Sequence, residues 1–397
     1  ANGDVYASIN GSVHKSTNAG VTFGAAQTLG ITAGRVELAC APNDANYVYA
    51  VVENGTIVNG ILRTTNAGTT WTVRTEPADA DPGIPVSDFS NGQGWYDLTV
   101  AVDPGNRDAL MVGGIDLFKS TDGAGTWTQI AHWYGGFGFQ YTHADQHIIY
   151  YQPGSSTICY FGNDGGIYRT ANANAGTPTI DFKGNDYNVT QFYACAIHPT
   201  AFSDYFLAGA QDNGSHQFTT AGINTTTEVT GGDGAFCHID QDQPQFQWTQ
   251  YIFNDFFVST NSGSSWTNVT AGSTGQFINP SDYDNSANIM YSGHNAGQYL
   301  RWSNPQSGAT FAGVAVAAFG GGSVNAITVS PNTANRVFFG LDNGGVVSCT
   351  NAHAVPTGTS ISTGLPGGVV SCVEVETGND NHLLVTYSKF GVNSDWE

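Results

Sequence analysis

Short apolar runs return along the chain between stretches rich in Asn, Asp, Thr, Ser and Gly. They lie at Val5-Tyr6-Ala7, Tyr47-Val48-Tyr49-Ala50, Leu110-Met111-Val112, Ile158-Cys159-Tyr160 and Tyr205-Phe206-Leu207. Further runs lie around Trp248 and at Ile289-Met290-Tyr291, Val337-Phe338-Phe339 and Leu383-Leu384-Val385. Most follow a polar turn with Pro, such as Ala41-Pro42-Asn43-Asp44, Asp103-Pro104, Gln152-Pro153, His198-Pro199, Asn279-Pro280 and Ser330-Pro331. Runs this short, β-branched or aromatic and bounded by turn residues, predict strands and not helices. Their spacing of about 40 to 60 residues is the period of a four-stranded propeller blade. No Pro/Ser-rich linker or charge run interrupts the series, which predicts one continuous propeller over residues 1–397 with about eight blades. The tail from Phe390 to Glu397 stops short of a further turn, so the last blade is either closed by the N-terminal strands or truncated.

A second repeat is an octet between strands: Ser16 to Phe23, Thr64 to Trp71, Ser120 to Trp127 and Ser259 to Trp266. Its pattern is Ser/Thr-x-Asp/Asn-x-Gly-x-Thr/Ser-aromatic, with the Gly one place late in the third copy. The Asx side chain is suited to capping its own turn, Gly to a positive φ, and the aromatic to packing beneath the hairpin. The octet therefore reads as a structural device.

Composition agrees and narrows the function. Of 397 residues 51 are Gly and only 11 % are charged, which disfavours helical bundles, while 40 % hydrophobic content suffices for a core. Lys plus Arg number 11 against 32 acids, a net charge of −21, so polyanions such as nucleic acid and anionic membrane surfaces are poor partners. No apolar run is long enough for membrane insertion. The low Lys content and the start of the chain in strand-like sequence suit an extracellular or cell-surface product. Six Cys without a CxxC spacing leave both disulfides and buried thiols open.

The octet resembles the Asp-box, or BNR, repeat. Together with Gly94-Trp-Tyr-Asp-Leu98, His143-Ala-Asp-Gln-His147, Gly162-Asn-Asp-Gly-Gly166, Gln211-Asp-Asn-Gly214 and Gly232-Asp-Gly234, it makes the chain similar to secreted bacterial Asp-box β-propellers, often cargo of type IX secretion. Relatives of that kind include sortilin-type ectodomains and xyloglucan-cleaving glycoside hydrolases. The last family carries catalytic aspartates in segments similar to Asn163-Asp164-Gly165-Gly166-Ile167-Tyr168-Arg169 and to Trp95-Tyr96-Asp97 ahead of Val102-Asp103-Pro104. The resemblance thus implies Asp97 and Asp164 as carboxylates of a polysaccharide site.

The residues themselves point the same way. If Thr142 to Ile149 is a strand, its period of two sets His143, Asp145 and His147 on one face, fit for a metal ion, a sugar contact or a structural hydrogen-bond ladder. Loop aspartates Asp145, Asp164, Asp212 and Asp233 would ring a channel and raise one another's pKa, as an acid–base pair requires. Trp95, Tyr96, Trp133 and Tyr134 are the rings to stack on a sugar. An inverting hydrolase would hold its acid and base about 6.5–9.5 Å apart. Sialidase chemistry lacks its arginine cluster, and no nucleotide or redox cofactor is implied. Two readings follow: a glycan-binding propeller with Asp97, Asp145 and Asp164 as catalytic candidates, or a non-catalytic surface module contacting proteins or assembling with itself.

Overall fold

The computed structural model describes residues 3 to 388 other than Asp186 and Asn188; the Phe390–Glu397 tail lies outside them. Seven four-stranded antiparallel sheets and two antiparallel hairpins contain the named strands. The one helix among the described residues is the 3-10 turn Ala317–Phe319. In every sheet strand order follows the sequence, the up-and-down meander of a propeller blade. The fold is all-β and built of such blades, as the period predicts.

The chain divides into two compact units. The first, Ala1–Asn188, holds the hairpin Val5–Ile9/Ser12–Ser16 and sheets opening at Arg35–Cys40, Thr99–Val102 and Gln146–Tyr151. The second, Val189–Glu397, holds sheets opening at Ala194–Ile197, Cys237–Ile239, Ser281–Asp284 and Val324–Val329, then the hairpin Val369–Glu376/Asn379–Ser388. All nine apolar runs fall in strands, seven of them in the second strand of a full sheet.

Six of those seven second strands are buried on both faces, the exception being Cys159–Asn163, where Tyr160 and Gly162 are half-buried. Along Val48–Asn54, Tyr49 and Val51 pack with Val100, Leu110 and Val112 of the following sheet. The alternate residues Ala50 and Val52 pack with Val13 and Leu29 on the preceding side. Met111 likewise turns away from Leu110 and Val112 to join Ile149 and Phe161. In the second unit Met290 packs with Trp248 and Trp302, while Tyr291 packs with Phe339. Side chains alternate across a pleated strand, so a sheet flanked by a neighbour on each side needs an unbroken apolar run. Fully burying each Val or Leu contributes roughly 1.5–3 kcal/mol.

The octets share one hydrogen-bond pattern. Ser16 Oγ donates to Asn18 Oδ1, the Gly20 N–H donates back to Ser16 Oγ, and the Thr22 N–H donates to Asn18 Oδ1. The same bonds recur at Thr64/Asn66/Gly68/Thr70, Ser120/Asp122/Ala124/Thr126 and Ser259/Asn261/Gly263/Ser265. Positions four and five both take positive φ: Ala19 and Gly20, Ala67 and Gly68, Gly123 and Ala124, Ser262 and Gly263. The third octet is therefore not displaced; its Gly occupies the first of two left-handed positions. A fifth copy departs from the octet spacing because it is longer: Thr170 Oγ1 donates to Asn172 Oδ1, which accepts the N–H of Thr179, seven residues on. The closing aromatics reach the core only partly. Trp71 and Trp127 flank core clusters, with indole N–H groups donating to Gln27 Oε1 and the Thr75 carbonyl, whereas Phe23 is exposed.

All six cysteines are free thiols, Cys159, Cys237 and Cys349 buried and Cys40, Cys195 and Cys372 exposed, so the disulfide option is not taken up.

Asp122 provides a test of the octet. Its pKa is held down at about 2, first by the Thr126 N–H, so its contribution to stability is present above the ordinary Asp value and lost as pH falls through about 2. Asp122→Ala should cost about 1–2 kcal/mol at pH 7 in urea melts. Asp122→Asn should stay near wild type there, as Asn serves in three other octets, yet lose less stability between pH 4 and pH 2.

Candidate functional site

In the first unit, the segment before Thr99–Val102 folds into a tight loop. The Gln93 N–H donates to the Ser90 carbonyl, and the Tyr96 and Asp97 N–H groups donate to the Gln93 carbonyl. Arg35 fastens this loop from the preceding sheet: its guanidinium donates to the carbonyls of Gly94, Tyr96 and Leu98. The result presents Trp95 outward, 62 % exposed, and turns Asp97 inward, 0 % exposed.

The second contribution comes from residues 143–147. The expected strand from Thr142 is not formed; the strand is Gln146–Tyr151, and Asp145 stands at φ 62°. A left-handed residue breaks the extended alternation, so the period-two argument for a shared face fails. His143 sits in the preceding loop, its carbonyl accepting from the side-chain amides of Gln146 and Asn163 and its N–H donating to Tyr168 Oη. Gly165 allows that approach, since a Cβ there would stand 2.4 Å from the His143 ring. Among the described residues, His143, Asp145 and His147 do not bring one donor atom each within 4.8 Å of one another.

What the fold does assemble is a carboxylate group beside aromatic rings. His147 Nε2 lies 2.6 Å from Asp164 Oδ1, and Tyr96 Oη donates to Asp164 Oδ2 at 2.8 Å. The Tyr96 ring meets His147 edge-on at 4.8 Å and Trp95 at 5.5 Å. Asp145, held by Gln93 Nε2 at 3.3 Å, has a carboxylate oxygen within 4.8 Å of one on Asp164.

Electrostatics divide these acids. Burial, reinforced by the charge of Asp145, pushes Asp97 up to about 9, and neither of its oxygens has a hydrogen-bond partner. Asp145 rises to about 6 through burial and then through Asp164. His147 is raised above the ordinary imidazole value, chiefly by its bond to Asp164. At neutral pH, Asp97 is a buried neutral acid, whereas Asp145 loses its proton as pH rises through about 6.

Two of the predicted rings lie in another loop. Trp133 and Tyr134 belong to the 132–141 loop, where their rings pack on His132; among the described residues, no ring contact joins them to Trp95 or Tyr96. Asp212 and Asp233 belong to the second unit. The Asp212 N–H, at a residue with φ 60°, donates to Asp233 Oδ1 at 3.2 Å. Tyr193, raised first by burial and then by these two acids, donates its hydroxyl to Gln211 Oε1. The sequence reading missed Arg35 and Gln93. Arg35 opens a strand some 60 residues before the loop it clamps, a distance of chain no local pattern spans.

No protein-family model matches the chain, and no curated protein matches it. Among solved structures, it is similar to a GH74 enzyme from Niastella koreensis at 16 % identity and a TM-score of 0.33, over 97 % of this chain and 68 % of that one. It is similar to the GH74 xyloglucanase from Xanthomonas campestris at 12 % identity and a TM-score of 0.33, over 94 % and 68 %. A third likeness is to YCF48 from Cyanidioschyzon merolae, at 14 % identity and a TM-score of 0.29 over 86 % and 89 %. Likenesses of this degree carry no argument about activity.

Proposed function

We propose that this chain is an extracellular propeller that binds polysaccharide through the Trp95–Tyr96–Asp164–His147 group of its first unit. The carrying observation is the juxtaposition of an outward indole with a carboxylate already bonded to a phenol and an imidazole. Sugars are recognised by such pairs: a ring for the apolar face of a pyranose and charged acceptors for its hydroxyls. A polyanionic ligand is disfavoured by the net charge of −21, which leaves neutral glycans as the ligand class.

A hydrolytic reading is favoured by the Asp145/Asp164 pair. A glycosidase needs two carboxyl groups at one site, one to give a proton and one to stay charged. With oxygens within 4.8 Å, the pair is closer than the about 6.5–9.5 Å of inverting enzymes and nearer the about 5–5.5 Å of retaining ones. Asp145 would hold the proton and Asp164, steadied by Tyr96 and His147, the charge. Asp97, being fully buried, would act on this pair only through its environment. A glycan site without turnover leaves the surface-module reading, with protein contacts or self-assembly as its work.

Three measurements test this. Binding of soluble β-glucans and xyloglucan, read by affinity electrophoresis or calorimetry, should weaken at least tenfold in Trp95→Ala; no binding by the wild type to any neutral glycan would overturn the reading. Reducing-end release, if present, should fall at least a hundredfold in Asp145→Asn with binding retained, and in Asp164→Asn with binding also weakened. Wild-type release should then decline as pH rises through about 6, since Asp145 must be protonated to act as acid. Asp97→Asn should leave binding in place and raise the melting temperature by a few degrees at pH 8. A carboxyl raised to about 9 is fully stabilising only below its ordinary value and loses that contribution as pH climbs toward about 9, so the gain should vanish at pH 4.

A further inference from the structure

Away from that group, three separate segments of the first unit bring acids around one histidine. His132 follows the strand Thr128–Ala131, Asp116 lies in the turn before Leu117–Ser120, and Asp79 stands in the loop after Thr72–Arg74. All three side chains are 0 % exposed. His132 Nε2 has no hydrogen-bond partner, yet it points at Asp116 Oδ2, 3.6 Å away, and Asp79 Oδ1, 4.0 Å away. Asp116 Oδ1 is likewise unpartnered. Among the described residues, no Lys or Arg forms an ion pair with either acid.

We propose that Asp79, Asp116 and His132 bind a divalent transition-metal cation of the Zn2+ or Mn2+ type.

The separations argue for it. They exceed hydrogen-bond range, roughly 2.7–3.2 Å, but they approach the spacing of donors around a shared ion. Ligands about 2.1 Å from a tetrahedral centre lie about 3.4 Å apart. An orphaned imidazole nitrogen and an orphaned carboxylate oxygen on fully buried side chains are costly, and one cation would satisfy both. An imidazole among carboxylates suits first-row transition metals, whereas Ca2+ and Mg2+ prefer all-oxygen sets.

The surroundings are built to hold the acids. Gln129 Nε2 donates to Asp116 Oδ2 at 3.0 Å and reaches both oxygens of Asp79 at 3.3 Å, while its Oε1 accepts the Ala80 N–H. Such orienting partners are what metal carboxylates require. Asp81, 3.9 Å from Nε2, accepts from Tyr134 Oη and adds negative charge. The Tyr134 N–H approaches His132 Nδ1 at 3.4 Å, a long contact that the ring relinquishes when Nδ1 carries the proton and Nε2 ligates. The ion would tie down the start of the 132–141 loop.

The test uses the whole chain stripped with EDTA, then loaded with Zn2+, Mn2+ or Co2+ and gel-filtered. One ion retained per chain, a rise in melting temperature with Zn2+ over EDTA, and visible d–d bands with Co2+ are expected. Affinity should fall at least tenfold in His132→Gln and Asp116→Asn, and stay within about threefold in Tyr134→Phe. Should the buried variants not fold, the Co2+ spectrum of the wild type decides alone: nitrogen-and-oxygen ligation supports the site. No retained metal, a Co2+ spectrum identical to the free aquo ion, or retention undiminished in folded His132→Gln would each overturn it.

Discussion

Several central strands here have two apolar faces, and no single sheet can cover both. Val48–Asn54 sends Tyr49 and Val51 one way and Ala50 and Val52 the other, so its sheet is stable only between neighbours. The same demand recurs at Leu110–Gly113 and at Ile289–Gly293. Sheets stacked in this way have their polar groups at strand ends and turns, and that is where the carboxylates, histidines and exposed rings are found.

Electrostatics add a second constraint. With 32 acids and 11 basic residues, most carboxylates must be managed without a cation. Exposed ones such as Asp122 take backbone N–H groups. Asp164 takes a phenol and an imidazole, and Asp97 stays protonated. Arg35 spends its guanidinium largely on backbone carbonyls, shaping the Trp95 loop, although it also pairs with Glu37. Acids arranged this way hold pKa values spread from about 2 to about 9 within one unit.

The sequence made the architecture readable because its signals are local and repeated. Seven of the nine apolar runs mark second strands, and three of the four octets mark the crossing from third to fourth strands, the first following the opening hairpin. Its limits were also physical. The strand expected at Thr142–Ile149 failed at one left-handed residue, Asp145, which Asp permits and no alternation pattern reveals. The grouping of Asp145 and Asp164 was foreseeable from loop position, but Trp133 and Tyr134 proved to belong to a different cluster. Asp79, Asp116 and His132 carry no motif at all; they are brought together by turns of three different strands, so only tertiary structure reveals them.

The longer turn at Thr170 extends what the octets do. Its Asn172 carboxamide closes onto Thr179 where the other copies close four residues on, and the strand Ile180–Phe182 still pairs in register with Gly166–Thr170. Closure thus depends on one side-chain oxygen finding one N–H and is indifferent to how much chain lies between. That makes these turns natural ports for added sequence: a lineage, or an engineer, can lengthen the segment inside the clasp and display new peptide there without renegotiating the blade beneath it.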